Sequence, residues 1–242
     1  MQTLNSKLFN LEDNKLRLHT DIRNKLIEIA NAFLEDLREQ DINIYPADIR
    51  LVGSNAGFDF TPYSDIDLHL VVDFEMYSQD ALLLQTALNI SRLKFNDQYN
   101  ITVKGIEVEI YAEDIKSATV SNGIYSVIQD RWIKFPEPEA DMSEYITPEI
   151  KDKTSRWVSL IQAVLDLSPE NDAAAKVDLE KCEHLINRLY LMRKTGLEVG
   201  GRLSGGNLIF KEVRNSGMLD ALKEKRNELK SFALTLEALR RN

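Results

Sequence analysis

The sequence predicts an α+β protein in which a small mixed β-sheet with flanking helices is followed by a C-terminal helical bundle. Short apolar runs rich in valine and isoleucine recur in the first half of the 242-residue chain, which is typical of buried strands. The second half instead repeats apolar residues at helical spacing. A proline-containing acidic stretch at residues 135–141 separates the two patterns. We therefore place one domain at residues 1–138 and a second at residues 139–242.

The first domain is expected to begin with one long helix and to continue mainly with strands. Residues 14–39 carry apolar side chains at helical spacing, so one amphipathic helix against the sheet is predicted. This pattern ends before Pro46, because the residue before a proline disfavours helical backbone. Turn residues bound the later elements, which are strands at Asp48–Val52 and Ile66–Val72, a helix near Gln79–Phe95 and a hairpin of Ile101–Lys104 and Glu107–Tyr111 around Gly105. Residues 121–136 are predicted to form either a pair of short strands or one strand with a closing loop.

Four helices are predicted in the second domain, separated by short stretches of turn residues. Asp172 is a plausible N-cap, because its short carboxylate can accept a bond from the first helical turn. Residues 196–210 hold five glycines and are predicted to form a flexible loop between two of the helices. The helices are expected at roughly Pro148–Leu167, Asp172–Thr195, Asn207–Asn215 and Met218–Arg241.

The residues most indicative of chemistry lie between Leu51 and Val72. Asp65 and Asp67 are two positions apart on a predicted strand, so both carboxylates share one face and can converge on divalent cations. Hard oxygen ligands of this kind suit Mg²⁺ or Mn²⁺. Gly53 would let the backbone approach a polyphosphate, and the Ser54 hydroxyl can donate to the outer phosphates. A short helix after Ser54 would add its positive N-terminal end.

The order of these residues resembles the signature of the DNA polymerase β-like nucleotidyltransferase superfamily. Gly53-Ser54 follows an apolar residue, and ten residues separate it from Asp65-Ile66-Asp67-Leu68. An isolated pair of this kind is less specific, because some glycosyltransferases also use one. The family carries a third acid on a neighbouring strand; Glu109, between two apolar residues, matches that form, and Glu107 on the same face is the alternative.

The resemblance implies an activity as well as a nucleotidyltransferase core. A nucleoside monophosphate would pass from a nucleoside triphosphate to an acceptor hydroxyl, and pyrophosphate would be released. Asp65, Asp67 and Glu109 would hold Mg²⁺ or Mn²⁺, and Glu109, nearest the acceptor, would take its proton. Gly53 and Ser54 would orient the phosphates.

Two cations of the second domain are candidates for further phosphate contacts. Arg202 lies in the glycine-rich segment, where a mobile lid would bring it to the leaving pyrophosphate. Lys211 lies close by on the next predicted helix. The alternative is that the segment is a connection without a ligand. Among the aromatic and histidine residues, Tyr125 and Trp132 are interpreted as sheet packing rather than nucleobase stacking, and His69 is interpreted as structural.

Charge and composition limit the class of protein. Residues 1–150 hold 13 Lys and Arg against 26 Asp and Glu, whereas residues 151–242 hold 17 against 13. An RNA acceptor would therefore need a local basic surface, which the second half is better able to offer. The single cysteine, Cys182, excludes an internal disulfide and a thiolate metal cluster. Without a signal core or an apolar run long enough for a bilayer, a cytoplasmic protein with no membrane partner is expected.

Several features stay open at the level of the sequence. The acceptor is expected to be an RNA 3′ end or a small molecule, although a second nucleotide or a protein side chain uses the same metal chemistry. A non-catalytic or antitoxin-like module of the same fold, which binds a nucleotide or a partner, is the alternative function. The preferred nucleoside triphosphate, with ATP among the candidates, and the oligomeric state are not indicated by any motif.

Overall fold

A computed structural model describes residues 3–12, 14–117, 121–138 and 142–240. The protein is a mixed α+β fold, as the sequence predicted. Its chain separates into two compact units, Met1–Glu139 and Ala140–Asn242. The first unit holds a mixed sheet with two helices, and the second is built from helices.

The centre of the first unit is a six-stranded sheet. Its strands are β3 Asp48–Val52, β4 Ile66–Val72, β5 Thr102–Val103, β6 Ile106–Asp114, β7 Ile124–Ser126 and β8 Arg131–Lys134. They lie in the order β5-β6-β4-β3-β7-β8, in which β4 and β6 are parallel and the other neighbours antiparallel. These strands agree with the predicted ones to within a few residues.

Two helices provide the apolar partner for this sheet, α1 at Thr20–Glu39 and α2 at Ala81–Gln98. Alternate residues of β4 and β6 are buried, among them Leu68 and Ile110, and they share one core with Leu26 and Phe33 of α1. Because β4 and β6 are parallel, the chain must cross over between them. The crossover contains α2, which packs on the apolar face of the sheet. The other face carries polar side chains.

The predicted helix over residues 14–39 is wrong at its N-terminal end. Lys15–Leu18 form a strand, β2, which pairs antiparallel with β1 at Phe9–Glu12. Polar and apolar residues alternate in Lys15–Leu18, so the extended chain buries Leu18, which is 1% exposed, while Lys15 stays in solvent. A helix over these residues would forfeit the pairing with β1, and α1 begins only at Thr20.

Four helices build the second unit: α3 Pro148–Leu165, α4 Asp172–Gly200, α5 Gly205–Asn215 and α6 Met218–Arg240. Their shared core includes Ile161, Leu189, Phe210 and Leu222. The N-cap of α4 is Asn171 rather than Asp172, because the Asn171 side chain accepts the Ala174 N–H at 3.0 Å. Asp172 is instead the first residue inside the helix.

The predicted flexible loop at residues 196–210 is also wrong. Helix α4 continues to Gly200 and α5 begins at Gly205, so that only a short turn joins them. A Cβ atom on Gly206 would lie 2.6 Å from the Met192 carbonyl oxygen, and one on Gly196 would lie 2.7 Å from Ser204 Oγ. These two glycines therefore let α4 and α5 approach closely, and the glycine-rich composition reflects helix packing rather than mobility.

Among the residues described, no helix is both long and apolar enough to cross a membrane. Cys182 is fully buried in the second unit, where its thiol donates to the Leu222 carbonyl oxygen at 3.2 Å. Burial raises the pKa of the Cys182 thiol to about 11. It is a small core residue, as the sequence indicated.

Candidate active site

Two of the predicted acidic residues meet on adjacent strands of the first unit. The parallel register of β4 and β6 pairs Asp67 directly with Glu109. Their apolar neighbours Ile66 and Val108 are buried on the opposite face, whereas both acids are only partly buried. Strand alternation therefore places the two carboxylates side by side on the polar face of the sheet.

The register also separates Glu109 from its alternative, Glu107. Glu107 pairs with Thr102 of β5 and precedes Val108, the residue that pairs with Ile66. Its side chain shares the sheet face of Glu109, but Glu107 lies two residues closer to the start of the strand. Glu109 is thus the acid beside Asp67, and Glu107 points to the row of Asp65 instead.

Asp65 immediately precedes β4, and a buried side-chain amide holds the backbone there. The Asn55 Nδ2 group donates to the carbonyl oxygens of Ser64 at 3.1 Å and Asp65 at 2.7 Å. The Asn55 Oδ1 atom in turn accepts from Asn5 Nδ2 at 2.8 Å. Asn55 is fully buried, so this bond network fixes the entry into β4. Neither asparagine was singled out from the sequence, although Asn55 directly follows the Gly53-Ser54 motif.

Gly53 lies directly against the Asp67 carboxylate. Its backbone has φ 72° and ψ −160°, a region that is open almost only to glycine. A Cβ atom at this position would lie 1.8 Å from Asp67 Oδ2. The Gly53 N–H donates to Ser121 Oγ at 3.1 Å. The glycine thus creates the space that the Asp67 carboxylate occupies, a role that the sequence motif alone did not reveal.

The short helix expected after Ser54 is a single 3-10 turn, Ser54–Ala56. The Ala56 and Gly57 N–H groups donate to Gly53 O at 3.1 Å and Ser54 O at 3.0 Å. A turn of three residues has little net dipole, since the macrodipole needs several aligned peptides. Any phosphate contact at this point would therefore depend on the Ser54 hydroxyl and local backbone rather than on a helix end.

Further along the same sheet face lies a polar network that the sequence analysis missed. His69 Nδ1 is 2.6 Å from Glu113 Oε2, and in the register His69 lies opposite Arg50 on β3. Asp48 is buried and accepts from Ser126 Oγ at 2.7 Å and from Arg50 Nε at 3.3 Å. His69, two residues beyond Asp67, is thus held by the Glu113 carboxylate, in agreement with a structural histidine.

The aromatic residues of β7 and β8 pack against one another and against Phe9. Tyr125 is fully buried, and its ring centroid lies 5.0 Å from that of Trp132 and 5.6 Å from that of Phe9. The Tyr125 hydroxyl donates to Asp130 Oδ1 at 2.7 Å. Burial and this bond raise the pKa of Tyr125. The interpretation of Tyr125 and Trp132 as sheet packing is therefore correct.

The two candidate cations belong to the second unit. Arg202 lies in the 3-10 turn Gly201–Leu203, where its carbonyl oxygen accepts from Asn207 Nδ2 at 2.6 Å. Lys211 lies on α5. The turn around Arg202 is short and bonded to α5, so these residues do not form the long loop that the predicted lid needs. Contact of Arg202 or Lys211 with a triphosphate remains a prediction.

The candidate metal ligands of the first unit are all carboxylates. Within the described ranges, no group of three or more His, Cys, Asp and Glu side chains is arranged to hold a metal ion. The chemistry of the donors nevertheless suits Mg²⁺ or Mn²⁺, because Asp65, Asp67 and Glu109 offer carboxylate oxygens only. The Asp67 carboxylate itself occupies the space over Gly53, so this glycine sets the position of a proposed metal ligand.

Comparison of the chain with protein-family models, with curated proteins and with solved structures found no match in any of the three. The function is therefore inferred from the residues of the chain and from their geometry.

Proposed function

We propose that this protein is a metal-dependent nucleotidyltransferase with the core fold of the DNA polymerase β-like superfamily. The observation that carries the proposal is the pairing of Asp67 with Glu109 on adjacent parallel strands, with Gly53 packed against the Asp67 carboxylate. Gly53, Asp67 and Glu109, which are distant in sequence, thus lie together on the polar face of the sheet. This convergence is what a site for phosphoryl transfer requires.

In this proposal the acids bind the cation and Glu109 also handles the proton. Asp65, Asp67 and Glu109 would hold Mg²⁺ or Mn²⁺, which neutralises phosphate charge and makes the acceptor hydroxyl more acidic. A Glu109 oxygen takes the proton of that hydroxyl. The acceptor oxygen forms a bond to the α-phosphorus while the bond to the bridging oxygen of the β-phosphate breaks, and pyrophosphate leaves. The Ser54 hydroxyl orients the outer phosphates by donating a hydrogen bond.

The alternative is a non-catalytic module, of the antitoxin-like or nucleotide-sensing kind, with the same fold. One observation favours it: the acids do not form a three-ligand metal group in the described part of the chain. A binding module would need only part of the acid set. The two functions differ in whether bound triphosphate is turned over.

The test is a release and binding assay with purified protein. Each α-labelled ribonucleoside triphosphate is incubated with Mg²⁺ or Mn²⁺, with total RNA or with small hydroxyl compounds such as aminoglycosides, and the label and pyrophosphate are followed. We expect label transfer that Asp67→Asn and Glu109→Gln abolish. Glu107→Gln tests the rival third acid, and Glu35→Gln is the matched control, because Glu35 is exposed on α1, which packs on the opposite face of the sheet.

The binding arm uses a non-hydrolysable triphosphate analogue in titration calorimetry. Metal-dependent binding without turnover under every acceptor would favour the non-catalytic module. Absence of both binding and turnover would refute the nucleotidyltransferase proposal.

A further inference from the structure

Helix α2 is apolar on two opposite faces. Its inner face buries Leu88 and Phe95 in the core of the first unit, and Asn96 bonds to both backbone groups of Ile110 on β6. Its outer face carries four large aliphatic side chains in solvent. They are Leu82, Leu83, Ile90 and Leu93, with exposed fractions of 71%, 65%, 64% and 59%.

These four residues, which we call the α2 stripe, form one continuous surface. At a rotation of about 100° per residue they fall within one side of the helix, opposite Leu88 and Phe95. From Leu82 to Leu93 the stripe is about 16 Å long at 1.5 Å per residue. Single exposed apolar residues are ordinary, but several large ones on one face mark an interaction surface. Exposing this apolar face to water is unfavourable in free energy.

We propose that the α2 stripe packs against the same stripe of a second copy of this chain, with the two helices antiparallel around a two-fold axis. In an antiparallel pair centred near residue 88, Leu83 faces the partner's Leu93 and Ile90 faces the partner's Thr86. In this register Leu83 and Ile90 meet a side chain of equal or smaller size, as the packing of helix ridges into grooves favours, and Leu82 lies beside the aliphatic stem of the partner's Lys94. A two-fold axis makes the surface complementary to itself.

The charges that border the stripe favour this direction. Asp80 caps the N-terminus of α2 by accepting the Leu83 N–H at 3.0 Å, and Lys94 lies near the other end. Antiparallel packing brings Lys94 close to the partner's Asp80, and symmetry repeats the contact. Parallel packing would place Lys94 beside the partner's Lys94. The opposite charges of Lys94 and Asp80 thus favour the antiparallel orientation over the parallel one.

The size of the surface sets the expected affinity. A stable interface of standard size buries about 800 Å² per partner, and one face of a three-turn contact covers less than that. The dimer is therefore expected to be weak, with a dissociation constant in the micromolar range, and to be populated at high protein concentration. Its formation is independent of the proposed enzymatic function.

The first test is the mass in solution by size-exclusion chromatography with light scattering over a concentration series. The wild-type chain is expected to reach the mass of two copies at roughly 100 μM, which is well above a micromolar dissociation constant. Ile90→Asp should raise that constant about 100-fold, because it buries a charge at the centre of the contact. Val199→Asp is the matched control, since Val199 is apolar and 86% exposed outside the stripe.

A monomer at every concentration would overturn the proposal, and so would a dimer that Ile90→Asp leaves intact. Orientation is tested by oxidising a Leu83→Cys/Leu93→Cys double variant, which should form covalent dimers. Leu83→Cys alone should not, because the two copies of residue 83 lie far apart in the antiparallel pair. Covalent dimers from the single variant would overturn the antiparallel arrangement. The native Cys182 is buried and does not interfere.

Discussion

Gly53 and Gly201 have nearly the same backbone conformation but very different surroundings. Gly53 has φ 72° and ψ −160°, and Gly201 has φ 66° and ψ −160°. Both lead into a short 3-10 turn. A Cβ atom on Gly53 would lie 1.8 Å from Asp67 Oδ2, whereas one on Gly201 would have nothing within 4 Å.

The comparison separates two reasons for a glycine. At Gly201 the backbone conformation alone demands it, because residues with a Cβ are strained there. At Gly53 the same conformation is combined with a carboxylate packed onto the Cα atom. Glycine content in a sequence therefore does not by itself indicate a phosphate site. The side chains packed against a glycine show whether it belongs to one.

The largest expected effect follows from replacing each of these glycines by alanine. Both variants should lose about 1–3 kcal/mol of unfolding free energy through backbone strain. Gly53→Ala should in addition lower pyrophosphate release at least about 100-fold, because it displaces the Asp67 carboxylate. Gly201→Ala should keep its turnover. Denaturant unfolding and the release assay measure the two effects, and equal activity in both variants would contradict the role of Gly53.

Gly206 and Gly205 extend the comparison to helix packing in the second unit. Gly206→Ala should cost about 2 kcal/mol of unfolding free energy, because the new methyl group forces α5 away from the Met192 carbonyl oxygen. Gly205→Ala meets nothing within 4 Å and should be neutral or stabilising by up to about 1 kcal/mol. Urea unfolding of the two variants is the measurement. A stable Gly206→Ala variant would mean that the helices do not need this close approach.

The hydroxyl groups of Ser204 and Ser54 are expected to have different roles, one in stability and one in binding. Ser204 caps α5 by accepting the Asn207 N–H at 3.3 Å, so Ser204→Ala should cost about 1 kcal/mol of unfolding free energy. Ser54→Ala should change that free energy by less than about 0.5 kcal/mol. It should instead raise the KM for triphosphate about fivefold if its hydroxyl binds phosphate. Unchanged KM in Ser54→Ala would remove Ser54 from the proposed site.

The smallest effect concerns pH and the buried thiol of the second unit. Burial raises the pKa of Cys182 from its usual 9.0 to about 11, so the unfolded chain loses its proton more readily than the folded one. The stabilisation is complete below about pH 9 and declines as the pH rises towards 11, by roughly 1 kcal/mol at pH 10. Denaturant unfolding at pH 8 and pH 10 measures it. The Cys182→Ala variant should show a decline smaller by this amount, and an equal decline would contradict the raised pKa.

Secondary structure was predictable wherever a local pattern had one interpretation. The strands Asp48–Val52 and Ile66–Val72 follow from apolar runs between turn residues, and the structure has the same bounds. The helix prediction was wrong at Lys15–Leu18 because these residues fit both helical and strand spacing. Pairing with β1 makes them a strand. The loop prediction for residues 196–210 was wrong because glycine is favoured both in loops and where helices pack closely.

The sequence by itself determined the α+β class, the change to helices after residues 135–141, and which side chains were candidates for the site. It could not choose between Glu107 and Glu109, because both lie on one strand face; the register of β4 against β6 placed Glu109 beside Asp67. It could not show that the Asp67 carboxylate lies over Gly53, or that Asn55 holds the start of β4. Local spacing fixes the direction of a side chain along its own strand, whereas its neighbours on other strands depend on pairing between distant segments.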